Sequence, residues 1–389
     1  MGSRSASIAP RCSNESHHDA VRRIVPIKTV VLGAGIVGSA AVWDLVRRGH
    51  TVTVADTDGD AAAAVATAHG ATPSRLDIAD RDALDALLDG FDAVVSAVPY
   101  RYGVTVAESA IRAGSHYADF GGNPTVVAAQ RGLNVGAIAA DVLVIPDCGL
   151  APGLANVMAG LLIDTTSGSA RSVQMRVGAL PQEPVGALEY QLAFSPAGLI
   201  NEYAEPCEIL EDGRYRTVEP LTRFETVEWE GWGPLEAFST AGGTSTMCRD
   251  REGTVGELEY KTLRFPGHGR IFAALREMGL FSEAGDPSPR TVLIDALDQT
   301  LPRGEPDLVL VRVWIEADET TRVLEIEDVH DGRFSALART TAFPATALID
   351  LVVRGDISLR GVHSMPNVAD GALLIEDLRS VGIVVAERF

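Results

Sequence analysis

The chain has 389 residues, 46% of them hydrophobic, which suits about two domains with full cores. Its formal charge of −20 at pH 7 argues against a nucleic-acid partner, because phosphates would be repelled. Cys12, Cys148, Cys207 and Cys248 form no CxxC pair and no zinc pattern, which predicts no metal and a reducing, cytoplasmic setting.

Residues 1–25 are polar and irregular, with a His17-His18 pair and no apolar core of a signal peptide. They predict a disordered leader whose histidines are solvated. No run of 18 apolar residues follows, so no transmembrane helix is expected and no membrane partner.

The first structured element is the apolar run Lys28–Leu32, followed by Gly33-Ala-Gly35-Ile36-Val37-Gly38 and a helical stretch to Arg48. A second apolar run, Thr51-Val-Thr-Val-Ala55, ends in Asp56. Strand, glycine turn, helix, strand and acid in that order predict a dinucleotide site. Gly33 permits the tight turn, Gly35 the approach of a pyrophosphate and Gly38 close packing of helix on strand. None is expected to tolerate a side chain larger than a methyl. Free N–H groups at the helix start, at Ile36 and Val37, would hold the phosphates. Asp56 would accept from the adenosine ribose. No cation follows in Asp56-Thr-Asp-Gly-Asp60, so NAD is expected as the cofactor, strongly preferred over NADP.

Further strands are expected at 72–77, 93–98, 116–120 and 142–147, separated by Ala-rich helices at 60–69, 80–88 and 104–113. This alternation predicts parallel βαβ units with the ligand beyond the carboxyl ends of the strands. Asp77, and Ala97, Val98 and Pro99 after the fourth strand, are candidate cofactor contacts there. The pattern changes after Gly149. A helix is expected over 152–166, then strands with period-two alternation at 173–177, 222–228, 308–314 and 322–327, which predict a largely antiparallel sheet. The tail predicts helices at 340–353 and 371–381 and a strand at 383–386. The expected fold class is therefore α/β: a Rossmann-type parallel-sheet domain, 26–148 plus 336–389, with an α+β domain over 149–335 for substrate binding and dimerisation.

Three polar strings are candidates for chemistry. In Tyr260-Lys261-Thr-Leu-Arg264-Phe-Pro-Gly-His268, the residues Lys261, Arg264 and His268 would project together on a helical turn and clamp a carboxylate. A solvated basic face is the alternative. Ser195-Pro-Ala-Gly-Leu-Ile-Asn201-Glu202-Tyr203 and Leu235–Ser245 have the small residues of ligand-approaching loops, and equally of ordinary surface loops. In His116-Tyr117-Ala-Asp119, the acid is placed to orient an amine or act as a base, or else to cap a turn.

Together Tyr117-Ala-Asp119-Phe-Gly-Gly, Pro146-Asp-Cys-Gly149-Leu-Ala-Pro152-Gly-Leu-Ala-Asn156, the Ser195 string, Glu236-Ala-Phe and Tyr260–His268 resemble the saccharopine dehydrogenase family, and within it the lysine 6-dehydrogenases. The similarity runs from about Ile27 to the C-terminus, including Gly361-Val362. The family's acid shortly after that pair is replaced here by the run His363-Ser-Met-Pro366-Asn367.

The resemblance implies NAD-dependent oxidation at a carbon bearing an amine, first L-lysine at its 6-amino group, giving the semialdehyde or 1-piperideine-6-carboxylate, ammonia and NADH. It also implies a homodimer. Lys261, Arg264 and His268 would take the carboxylate, with Tyr117 and Asn201 beside them and Asp119 at the amine end. A saccharopine-like or carboxyspermidine-like secondary amine is a rival substrate. A non-catalytic NAD-binding sensor is a rival of another class.

Overall fold

A computed structural model describes residues 26–318 and 320–388. The expected leader 1–25, its histidine pair and Cys12 lie outside the described residues.

The chain opens with β1 (Lys28–Leu32), α1 (Ile36–Arg47), β2 (Thr51–Asp56), α2 (Gly59–His69), β3 (Thr72–Arg75) and α3 (Arg81–Leu88). It continues through β4 (Ala93–Ser96), α4 (Gly103–Ala113), β5 (His116–Asp119), α5 (Pro124–Arg131), α6 (Asn134–Ala139) and β6 (Leu143–Ile145). The second domain begins with α7 (Leu154–Thr165), β7 (Ala170–Pro181), α8 (Pro196–Ala204), β8 (Cys207–Glu211), β9 (Arg214–Val218), β10 (Glu225–Trp229) and β11 (Gly233–Ser239). It continues with α9 (Met247–Asp250), β12 (Val255–Arg264), α10 (His268–Glu277), α11 (Pro289–Thr300), β13 (Asp307–Ala317) and β14 (Thr320–Val329). The tail is α12 (Ala336–Arg354), β15 (Gly361–Val362), α13 (Met365–Val368), α14 (Gly371–Ser380) and β16 (Val385–Arg388).

The first sheet is parallel throughout, in the order β15-β6-β5-β4-β1-β2-β3. Strand order reverses between β1 and β4, which opens a crevice at their carboxyl ends. Val30, Val31 and Leu32 of β1 are fully buried, as expected for a strand covered on both faces. The second sheet runs β10-β11-β12-β7-β13-β14-β16 and is antiparallel except where β12 pairs with β7.

The tail divides between the two sheets: β15 extends the first beside β6, whereas β16 pairs with β14 in the second. α12 is long and apolar enough to cross a membrane by length and composition, yet 83% of its apolar 18-residue window is buried inside the protein. Ser335 caps its start and Gly355, with φ +84°, ends it. Thr346 on α12 donates to Asp44 of α1 at 2.6 Å, and Asp350 meets the buried His50 at 2.8 Å. These polar contacts fix the helix against the first domain while its apolar face covers the second sheet.

Three stretches differ from expectation. The Ser195 string is a helix, because Ser195 accepts from the Gly198 N–H at 3.0 Å and Pro196 occupies the first turn. Residues 235–239 belong to β11. Residues 260–264 are the end of β12, so a helical turn begins only at His268.

Candidate active site

The glycine turn lies in the crevice between β1 and β4. Gly33 has φ +102°, and a Cβ there would fall 2.6 Å from the Ala97 carbonyl oxygen. A Cβ on Gly38 would fall 1.9 Å from the Gly33 carbonyl oxygen. At neither position does even a methyl fit without a shift of the backbone. Nothing stands within 4 Å of a Cβ on Gly35, so the space over that backbone is open. No side chain caps α1, leaving the first N–H groups free for an anion.

Asp56 Oδ2 accepts from the Ala34 N–H at 2.7 Å, tying the end of β2 to the turn. These residues fit a dinucleotide. Asp77 is exposed and accepts from its own turn, the Ala79 N–H, at 2.9 Å. Gly38→Ala is expected to displace α1 and weaken nicotinamide dinucleotide binding at least about tenfold; calorimetry showing wild-type affinity would remove the dinucleotide from this turn.

Next to this crevice is an interdomain cavity of about 450 Å³. Val37, Ala97, Val98, Pro99 and Phe120–Gly122 line its first-domain side. The second domain contributes Phe194, Ser195 and Glu202 from α8 and its start, and Tyr260, Thr262 and Arg264 from β12. Strand periodicity places these last three on one face.

Arg264 is 3% exposed, and among the described residues no carboxylate lies within 4 Å of its guanidinium. Its Nε donates to Tyr203 Oη at 3.2 Å, Nη1 donates to the Leu263 carbonyl at 2.9 Å, and its Cζ stands 5.1 Å from the Tyr190 ring centre. Burial opposes its charge, but the surrounding Tyr203, Tyr190 and Glu202 raise its pKa, so it stays a cation. A buried guanidinium with no carboxylate in direct contact, facing a cavity, is a site for an anion. Glu202 makes no side-chain hydrogen bond among the described residues. Burial pushes its carboxyl up to about 7, against the opposing pull of Arg264.

His268 does not reach the cavity. Its Nε2 sits 3.0 Å from Tyr203 Oη and its Nδ1 3.0 Å from the Leu188 carbonyl. Burial, then Arg264, lowers its pKa to about 3, so it is neutral. Nδ1–H therefore donates to Leu188, Nε2 accepts from Tyr203, and Tyr203 accepts from Arg264. His268 is a positioning residue behind Arg264.

Lys261 points to the opposite face of β12, where its Nζ lies 2.8 Å from Glu225 and 3.4 Å from Glu259. Lys261 therefore does not converge with Arg264 and the neutral His268. The helical reading of the string fails because alternate residues of a strand face opposite sides. Lys261→Met is expected to leave substrate KM within about twofold of wild type; a tenfold rise would return it to the site.

Asp119 is buried and accepts from Tyr117 Oη at 2.8 Å, Gln130 Nε2 at 2.6 Å, the Gly121 N–H at 2.9 Å and the Asp147 N–H at 3.1 Å. Burial raises its pKa and these donors lower it. Tyr117 and Asp119 face one another behind the cavity wall and shape the Phe120–Gly122 loop. Asn201 Nδ2 donates to the Gly122 carbonyl at 3.2 Å, and its Oδ1 accepts from Asn123 at 3.1 Å, which latches α8 to that loop. None of the three is among the residues lining the large cavity. Spacing along the sequence assigns Glu202 no role. Its signal was a lone acid on the small-residue helix that faces the β12 string.

Two family models match the chain: the saccharopine dehydrogenase NADP binding domain over residues 29–145, and the saccharopine dehydrogenase C-terminal domain over 149–383. The NADP-dependent, L-glutamate-forming saccharopine dehydrogenase of Saccharomyces cerevisiae is 28% identical over 264 residues, 65% of this chain and 58% of that protein. The enzyme of the same name from Pyricularia oryzae is 26% identical over 445 aligned residues, 92% of this chain and 98% of its own.

The solved apo saccharopine dehydrogenase (L-Glu forming) of S. cerevisiae superposes with a TM-score of 0.73 at 21% identity, covering 93% of this chain and 99% of that one, and shares the fold. The glycine turn, the two sheets and the strings around the cavity thus occur together across nearly the whole described chain, and the protein belongs to the saccharopine dehydrogenase family.

Proposed function

We propose that the protein is a nicotinamide-dependent dehydrogenase oxidising the C–N carbon of an amino acid's side-chain amine, with L-lysine at its 6-amino group as the leading substrate. The observation that carries this is a buried, unpaired Arg264 facing the same cavity as Glu202. Arg264 receives the substrate carboxylate as a charge-assisted pair. Glu202 takes a proton from the ammonium group and frees the nitrogen lone pair, a task suited to a carboxyl poised near 7. A bound nicotinamide ring supplies the acceptor for the hydride leaving the amine-bearing carbon. Tyr203 and His268 hold the guanidinium in place, and Phe120 and Phe194 limit the water around the reacting carbon. Water then adds to the substrate iminium, and ammonia departs. In net terms, the substrate's alkylammonium group, oxidised cofactor and water give aldehyde, ammonium, reduced cofactor and a proton. Asp56 supports NAD as acceptor through the ribose diol.

A secondary-amine conjugate is the second reading. It is favoured by the exposed Arg101, which lines the first-domain side of the cavity and would meet a second carboxylate. Amino acids and their conjugates assayed by reduced-cofactor fluorescence, with NAD and NADP separately, test both readings. Reduction with L-lysine supports the first, reduction only with dicarboxylate conjugates supports the second, and none with any amine leaves a cofactor-binding sensor.

A further inference from the structure

The acidic run after Asp56 contains no cation, but the neighbouring strand supplies one. In the parallel pairing of β2 with β3, Arg75 stands in register with Asp56. Its stem passes beside the start of α2, where a Cβ on Gly59 would lie 3.5 Å from Arg75 Cδ. Its Nε donates to the Thr57 carbonyl at 3.2 Å. Among the described residues its terminal nitrogens have no protein acceptor, and no carboxylate comes within 4 Å.

The nearby acids are engaged with backbone. Asp56 Oδ1 accepts from the Asp58 N–H at 2.9 Å, Asp58 accepts from the Asp60 and Ala61 N–H groups at 2.9 and 3.2 Å, and Asp77 closes its own turn. An exposed guanidinium fork is thus left beside the carboxylate that would receive an adenosine ribose.

We infer that Arg75 is a specificity-determining residue that accepts the 2′-phosphate of NADP, so that this site binds NADP as well as NAD. A guanidinium fork matches a phosphate bidentately, and a carboxylate matches a ribose diol. With Arg75 and Asp56 side by side, neither ribose is excluded. Asp58 and Asp60 oppose the phosphate and keep the site from favouring NADP alone.

The inference rests on the dinucleotide reading of the glycine turn and needs no amine chemistry, so it is tested by binding without substrate. The full chain is titrated calorimetrically with NAD and NADP. Their dissociation constants are expected within about tenfold of each other. Arg75→Ala should weaken NADP at least about tenfold and NAD less than about threefold, while Arg75→Lys restores part of the loss. NADP binding should also fall more steeply with salt.

Equal weakening of both cofactors by Arg75→Ala would make Arg75 a loop support and overturn the inference. So would wild-type NADP binding about a hundredfold or more weaker than NAD, with the glycine-turn reading left standing. Failure to bind either cofactor would overturn both.

Discussion

Glu202→Gln is expected to lower kcat/KM for the amine substrate by roughly 10²–10⁴, the usual contribution of a positioned general base. In the wild type the rate should climb as pH rises through about 7, where Glu202 loses its proton. The variant should lose that limb of the profile. An amide keeps the shape of the carboxyl, so cofactor affinity should be unchanged.

Stability gives an independent sign. The folded pKa of Glu202 is raised above its unfolded value of 4.5, chiefly by burial. Folding is therefore penalised increasingly as pH rises from about 4.5 through 7, and not below. Glu202→Gln should raise Tm at pH 8 by roughly a few degrees, with the gain shrinking toward pH 4.5. An unaltered pH–rate profile in this variant would remove Glu202 from the chemistry.

Arg264→Ala should raise the Michaelis constant at least about tenfold, and kcat/KM should fall by the equivalent of about 2–5 kcal/mol, because the substrate carboxylate is left without its partner. NAD affinity should stay within about threefold, since the glycine turn is untouched. Arg264 also pulls the Glu202 pKa down. Its loss should therefore move the rise in rate to higher pH. If KM were unchanged, or if weaker NAD binding were the main effect, the carboxylate would have to bind elsewhere.

The first domain was legible because its signals are local. Gly33, Gly35, Gly38 and Asp56 each depend on the turn or strand in which they lie, so spacing along the chain carried the geometry. The second domain's site depends on a register that spacing does not carry. Helical spacing would gather Lys261, Arg264 and His268, yet the first five residues of Tyr260–His268 end β12. The same letters read with period two separate Tyr260, Thr262 and Arg264 from Glu259, Lys261 and Leu263. Glu202 meets its surroundings only when α8 crosses to the β12 face, and Arg75 reaches Asp56 only through strand pairing. Asp119 looked catalytic because it ends a strand beside the crevice. Its carboxylate accepts from four donors, one of them the Gly121 N–H of the loop after β5.

The most direct measurement compares reduced-cofactor formation from L-lysine with that from 1,5-diaminopentane, which presents the same terminal amine without the carboxylate. If Arg264 holds a carboxylate while Glu202 deprotonates the amine, kcat/KM for the diamine should be at least about 100-fold lower than for L-lysine, and Arg264→Ala should nearly abolish that gap. Equal rates with the two amines, or no reduction from L-lysine alongside normal cofactor binding, would contradict the account.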